Sequence, residues 1–295
     1  MHRPDLWPIP THDVPRYLGP LLTRAVAESM SAARQMGREI WSGSLDLERS
    51  STRVLLEADG WHWRGRNWLW PTKLRERTIY HWNGEDWAPI QRYSGALVKL
   101  IASDWGAPTF EIDGIKMLPT ARVSPFEDAR CKAMLVEPRG RSVLDTCGGL
   151  GYYAAACLDL GVARIRSFER NEDVLWLRRF NPWSPDPEAP SNARRFELSH
   201  ADITRAIAGL PDAGFDAILH DPPRFSIAGE LYSQVFYEQL ARVIRPGGRM
   251  FHYTGSPNQL SHGRDLPREV IARLVKAGFE AEPMLDGVLA VRRHG

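Results

Sequence analysis

The chain has 295 residues, 43% hydrophobic and 25% charged, a balance that suits a soluble globular protein with apolar content for one large core or two smaller ones. Its net charge of +2 gives no electrostatic case for a nucleic-acid partner, and no apolar run approaches the roughly 20 residues that span a bilayer. Three cysteines (Cys131, Cys147 and Cys157) lack metal-ligand spacing, and the opening MHRPDLWPIP has prolines and charges where a signal peptide needs an apolar core; both features predict a cytoplasmic protein with no metal site and no disulfide framework.

The chain changes character near residue 120. Nine tryptophans fall before it (Trp7, Trp41, Trp61, Trp63, Trp68, Trp70, Trp82, Trp87 and Trp105), and only Trp176 and Trp183 after it. Residues 17–39 form an amphipathic stretch that predicts one or two helices. Short alternating runs follow, with turn signals at Asp59-Gly60, Asn83-Gly84 and Asp113-Gly114, which predict hairpins. Residues 1–120 are therefore predicted to be a β-rich accessory or lid domain with a helix. Its tryptophans suit a core, a lid over a pocket, or a stacking platform for RNA beside the basic stretch from Arg64 to Arg77.

From Ser124 the rhythm becomes strand–helix alternation. Ser124, Pro125 and Glu127 read as an N-cap, a first helical residue and a capping-box acid. Strands are predicted over 142–146 and 163–169, in "RFELSHAD", "FDAILHD" and "RMFHYTG", with a last hairpin turning at Asp286-Gly287. Helices are predicted over 152–160, 172–179, 203–208, 231–243 and 267–277. Residues 121–295 thus predict an α/β domain with a mostly parallel sheet covered on both faces and an antiparallel hairpin at one edge.

A ligand of such a sheet sits at the carboxyl ends of its strands. The first strand runs through Asp145 into Cys147, Gly148, Gly149 and Gly151, where missing side chains admit close backbone approach and the next helix offers free N–H groups. A tight turn is the plainer account of the glycines alone. Glu169 ends the second strand, eighteen residues past Gly151, where an acid accepts hydrogen bonds from ribose hydroxyls. Asp202 ends the third, placed for an adenine amino group.

D-x-x-G-G-x-G at Asp145–Gly151, followed by Glu169, Asp202 and "HDPPR", resembles class I S-adenosylmethionine-dependent methyltransferases over residues 120–295. "VLDTCGGLGY", "NPWS", "HDPPRFSIAGELYS", "RPGGRMFHYTG" and "GRDLPREV" look like a family of predicted, mostly archaeal, methyltransferases, and "EIDGIKM" with "PFEDARCK" extends the likeness upstream. The resemblance implies a Rossmann-like class I sheet and S-adenosyl-L-methionine held by Asp145, Cys147, Gly149, Gly151, Tyr152, Glu169, Arg170, Asp202, Ile203, Asp221 and Pro222. This chain departs from the family pattern in having Cys147 where a glycine is usual. A dinucleotide is the competing ligand; its fingerprint would place a third glycine where Ala154 stands.

The Asp221-Pro222-Pro223 loop points to the chemistry. In aminomethylating relatives an aromatic follows the prolines and stacks on the acceptor; here Arg224 stands there, free to bind an anion or to brace Asp221. Methyl transfer from a sulfonium needs positioning more than acid–base help. Asp221 would orient an amine, His220 or His252 would take its proton, Tyr253 and Thr254 offer hydroxyls, and Tyr152 or Tyr153 would cover the sulfonium.

The leading reading is methyl transfer to a nitrogen of a small molecule, with Asp221, His220, Tyr253 and Arg224 at the reacting centre. Attack within the donor to give azetidine-2-carboxylate and methylthioadenosine, aminopropyl or aminocarboxypropyl transfer, RNA N-methylation, and a non-catalytic sensor of the donor remain as alternatives. Neither a membrane partner nor any particular oligomeric state is indicated.

Overall fold

The computed structural model describes residues 16–255 and 265–294. Trp7, the opening MHRPDLWPIP and the first two residues of "GRDLPREV" lie outside them. The described chain divides into two compact units, one of residues 16–127 with 176–184, the other of 128–175 with 185–294.

The first unit is built from antiparallel strands around a single long helix. Its elements are β1 (Leu21–Leu22), α1 (Arg24–Gln35), β2 (Ile40–Gly43), β3 (Thr52–Leu56), β4 (Gly60–Trp63), β5 (Arg66–Leu69), β6 (Tyr80–Trp82), β7 (Trp87–Pro89), β8 (Gln91–Tyr93), β9 (Leu97–Ile101), β10 (Thr109–Ile112) and β11 (Ile115–Lys116). They form three sheets, ordered β1-β6-β7, β2-β3-β4-β5 and β11-β10-β9-β8. Chain reversals occur at all three turn signals. Asp113 and Gly114 both have positive φ (48° and 78°), the type I′ geometry that matches strand twist. The amphipathic stretch gives one helix because Thr23 caps α1, its hydroxyl accepting from the Val26 amide at 3.3 Å, while Leu21 and Leu22 before it pair as a strand.

The tryptophans are this unit's core. Trp41, Trp61, Trp63, Trp68 and Trp87 are buried together, with Trp61 stacked on Trp68 and on Trp87 at ring separations of 5.8 and 6.0 Å and those two rings 6.2 Å from each other. Four of these indole N–H groups find internal acceptors: Trp41 donates to Ser29, Trp63 to Thr52, Trp68 to the Trp63 carbonyl and Trp87 to the Leu69 carbonyl, while Trp61 Nε1 has no partner among the described residues. Trp183 of "NPWS" also belongs here, donating to the Leu47 carbonyl at 2.8 Å.

The second unit contains the predicted sheet. Its elements are α2 (Pro125–Leu135), β12 (Ser142–Asp145), α3 (Tyr152–Asp159), β13 (Arg164–Glu169), α4 (Glu172–Arg178), β14 (Phe196–His200), α5 (Ile203–Ala206), β15 (Phe215–His220), α6 (Gln234–Val243), β16 (Ile244–Tyr253), α7 (Leu266–Lys276), β17 (Phe279–Met284) and β18 (Gly287–Arg292); α2 and α4 straddle the division between units. The strand order is β14-β13-β12-β15-β16-β18-β17, parallel from β14 to β16, with β18 antiparallel to both its neighbours. This is the Rossmann-like class I methyltransferase sheet with its C-terminal hairpin. All four residues of β12 are buried, as a central parallel strand requires.

Two boundaries differ from the sequence reading. α6 begins at Gln234 because the Ser233 hydroxyl caps it through the Phe236 amide, and residues 229–232 form a separate 3-10 turn. β16 begins at Ile244, before Pro246-Gly247-Gly248. Its pairing with β15 jumps from Phe215↔Ile244 to Ala217↔Arg249, so the Pro-Gly-Gly segment bulges out of the ladder, with Gly247 at φ 76°.

Candidate functional site

Strand order reverses between β12 and β15, the switch point at which an open α/β sheet takes its ligand. After Asp145 the chain turns sharply. The Gly148 amide donates to the Phe168 carbonyl at 2.7 Å, and the Gly151 amide to the Gly148 carbonyl at 2.7 Å. Gly149 and Gly151 have φ of 48° and 84°, the left-handed region that favours glycine. Gly151 is the N-cap of α3 and brings no side-chain cap, so α3 begins directly from a loop in which Gly148, Gly149 and Gly151 lack side chains. This fits the polar tail of an adenosyl ligand.

Glu169 at the tip of β13 joins this loop directly. Its Oε2 accepts from the Gly149 amide at 2.9 Å and its Oε1 from the Asn171 amide at 2.8 Å. Asp202 after β14 caps α5, its Oδ1 accepting from the Thr204 amide (2.9 Å) and hydroxyl (2.7 Å). Arg170 lies 3.8 Å from the other Asp202 oxygen and 3.3 Å from Glu230. Asp145 is fully buried and its Oδ2 accepts from the Ser167 hydroxyl at 2.7 Å, bracing β12 against β13. Ile203 and Tyr152 are buried beside these tips, and Cys147 is half-buried, its thiol pushed up by burial.

The second focus is Asp221, at the exit of β15. It is only partly exposed, and Pro222 behind it is buried. Burial lifts its carboxyl from the ordinary range to about 7; Lys132 opposes the rise, Asp128 and Asp286 reinforce it, and the Tyr153 hydroxyl opposes it. Lys132, on α2, is 1% exposed. Its ammonium donates to Asp128 at 2.6 Å and Asp286 at 2.8 Å and lies 4.6 Å from the centre of the Tyr253 ring. Burial alone would lower its pKa, but Asp221, Asp128 and Asp286 together hold it above the ordinary lysine range. Asp286 Oδ1 and the buried Thr254 Oγ1 have no hydrogen-bond partner among the described residues. The corner therefore sets three carboxylates against one ammonium, with one carboxylate oxygen and one hydroxyl to spare.

The histidines lie behind this corner, in the core. His220 and His252 are fully buried, their rings 4.4 Å apart. His220 contacts the Thr146 hydroxyl at 2.7 Å and the Leu231 carbonyl at 3.1 Å; His252 contacts the Tyr237 hydroxyl and the Tyr253 carbonyl, both at 2.8 Å. Both rings have all their nitrogens engaged. Burial pushes His220 down to about 4 and His252 well below its ordinary value. At neutral pH each is an uncharged strut between strand tips, and neither is placed to take a proton. Arg224 is exposed, its carbonyl accepting from the Ile227 and Ala228 amides. The Pro223 carbonyl accepts from Tyr232, which holds the proline loop in place.

Sequence reasoning missed Lys132, Asp128 and Asp286. The four-residue spacing of Asp128 and Lys132 was a readable helical ion pair. Asp286 read only as a turn residue.

The chain is 41% identical over 189 residues to the uncharacterised protein MJ1233 of Methanocaldococcus jannaschii, covering 63% of this chain and 64% of that protein. It is 35% identical over 130 residues to a polyamine aminopropyltransferase of Mycobacterium tuberculosis, covering 41% of this chain and 24% of the relative. The chain thus spans less than two thirds of the length of either relative. Among solved structures it is similar to a spermidine synthase in complex with the transition-state analogue AdoDATO, with a TM-score of 0.54, 19% identity, and 70% and 73% of the two chains covered. No family model matches the chain. The structural likeness shows a methyltransferase-like fold of the kind spermidine synthases also have.

Proposed function

We propose that the protein is a transferase that uses S-adenosyl-L-methionine to methylate a nitrogen of a small-molecule amine. When bound, the donor supplies a methyl group on a positively charged sulfur that departs as a neutral thioether. The glycine loop from Cys147 to Gly151 and the first amides of α3 would hold its tail, beside Tyr152. Glu169 with Arg170 would hold its ribose, and Asp202 with Ile203 its adenine. Pro222 shapes the wall next to them.

The observation that carries the reading is Asp221 at the exit of β15, poised near neutrality among further acids. An amine must be uncharged to attack, and its nitrogen gains a positive charge when the new N–C bond forms. Asp221 orients the amine and takes up the proton that the alkylated nitrogen then releases. Tyr253 and Thr254 add hydroxyls at the same strand tip. The 41% identity to an archaeal protein supports membership of the archaeal family suggested by the sequence.

A second reading is aminopropyl transfer to an amine, supported by the aminopropyltransferase relative and the spermidine synthase fold. The same corner would serve it, because the acceptor is again an amine. The products separate the two. The protein is incubated with S-adenosyl-L-methionine, or its decarboxylated form, and a panel of mono- and diamines, and analysed by mass spectrometry. S-adenosylhomocysteine that appears only with an amine supports methylation. Methylthioadenosine from the decarboxylated donor with an amine supports aminopropyl transfer, and methylthioadenosine from S-adenosyl-L-methionine alone supports cyclisation of the donor. If neither product forms with any amine, amine alkylation is wrong.

A further inference from the structure

A buried lysine among acids is an unusual way to stabilise a fold. Taking an ammonium out of water costs several kcal/mol, and well-packed apolar side chains commonly replace a buried ion pair without loss. Lys132 is nevertheless 1% exposed and anchored on both sides, by Asp128 one helical turn before it and by Asp286 from the turn between β17 and β18. Two of its three N–H donors are used on those carboxylates. The Tyr253 ring, 4.6 Å from Nζ, adds a third restraint. The ammonium is thus fixed from two elements and one strand tip; His220 pairs with His252, so Tyr253 and Asp221 leave adjacent strands side by side, and the ammonium against the Tyr253 ring lies at the exit of β15.

We propose that Lys132 is the positioning residue of this corner: its ammonium, clamped between Asp128 and Asp286, fixes the charge on Asp221, the acid given the amine's proton in the reading above, on which this inference rests. The groups facing Asp221 are Lys132 and Asp128 from α2, Cys147 from the glycine loop, Tyr153 from α3, Tyr232 from the turn before α6, Tyr253 from β16 and Asp286 from the last hairpin. Lys132 is the cation among them. Removing it leaves Asp221 facing only acids and neutral hydroxyl and thiol groups, so the carboxyl keeps its proton to higher pH. Removing Asp286 withdraws a repelling charge, so the carboxyl loses its proton at lower pH. The two substitutions therefore move Asp221 in opposite directions, although both break the same bond.

The test follows Asp221 itself and needs no acceptor. Protein labelled with 13C at aspartate carboxyls is titrated by NMR, and the Asp221 resonance is assigned as the one lost in Asp221→Asn. Lys132→Met is expected to raise its midpoint by about one pH unit or more, the effect of losing a nearby opposite charge. Lys132→Arg is expected to restore it, and Asp286→Asn to lower it. An unchanged midpoint in Lys132→Met overturns the proposal. If that variant does not fold, Asp286→Asn decides: a lower midpoint supports the proposal, and an unchanged or higher one overturns it. Full turnover by Asp221→Asn would instead remove the proposed role of Asp221 and leave the titration result standing.

Discussion

Asp286, in the turn between β17 and β18, accepts a 2.8 Å hydrogen bond from the ammonium of Lys132 on α2, 154 positions earlier in the chain. The bond draws the first helix of the second unit and its last hairpin to the exit of β15. Removing one partner of a buried pair leaves the other charge uncompensated. Lys132→Ala is expected to lower the unfolding free energy by about 3–5 kcal/mol. Urea denaturation at pH 7 reads this directly, and a loss below about 1 kcal/mol would mean that the pair behaves like an exposed one.

Glu169 accepts from the Gly149 amide and so ties the glycine loop to the tip of β13. Glu169→Ala is expected to weaken donor binding by about 1–3 kcal/mol, the scale of a lost charged hydrogen-bond partner. Calorimetric titration with S-adenosyl-L-methionine measures it. Unchanged affinity would take Glu169 out of the donor site.

Asp221 carries a pH sign that can be checked. Its carboxyl is lifted to about 7, so the anion needed for proton uptake is lost as pH falls through that value, and turnover falls with it. The same lift costs folding stability above the ordinary carboxylate range, because the folded state binds this proton more tightly than the unfolded one. Asp221→Asn is therefore expected to cut turnover while raising the melting temperature at pH 8 and leaving it unchanged near pH 4. A variant equally unstable at both pH values would contradict this account of the carboxyl.

His220 has the opposite sign. Its folded pKa, about 4, lies below the ordinary value of 6.5, so the unfolded chain binds the proton first as pH falls. Stability present above pH 6.5 is lost between there and 4, by about 3 kcal/mol in total for a fully buried ring. His220→Gln is expected to flatten that part of the stability–pH curve in denaturant titrations. If the variant keeps the wild-type slope, the titrating group lies elsewhere.

In the first unit, Trp61 is fully buried and stacks on two other indoles. Trp61→Ala is expected to cost about 3–5 kcal/mol. Near-ultraviolet circular dichroism during thermal unfolding reports it, and a variant that melts with the wild type would mean that the stack adds nothing to this core.

Much of this architecture is legible wherever local chemistry fixes it. Asp113-Gly114 specifies a turn that few other pairs allow, and Gly149 and Gly151 mark a loop that must turn left-handed. Glu169 and Asp221 are placed from sequence at strand ends, and β13 ends at Glu169 while β15 ends one residue before Asp221. What stays hidden is set by partners far away in the chain. Asp286 gains its role only when Lys132 arrives from 154 positions before it. "NPWS" reads as a loop of the second unit, yet Trp183 bonds Leu47, 136 positions earlier, and folds with the first. His220 and His252 look like strand-end bases until the depth of β15 and β16 shows them enclosed. The Pro-Gly-Gly bulge shows the same limit, since the glycines predict a turn and only pairing with β15 carries the strand through it.

The hairpin turn that contributes Asp286 also sets an order of events during synthesis. All five parallel strands and the glycine loop are translated before that aspartate. The residues at the tips of β12 and β15 are therefore all made while the ammonium of Lys132 still lacks one of its two anchors.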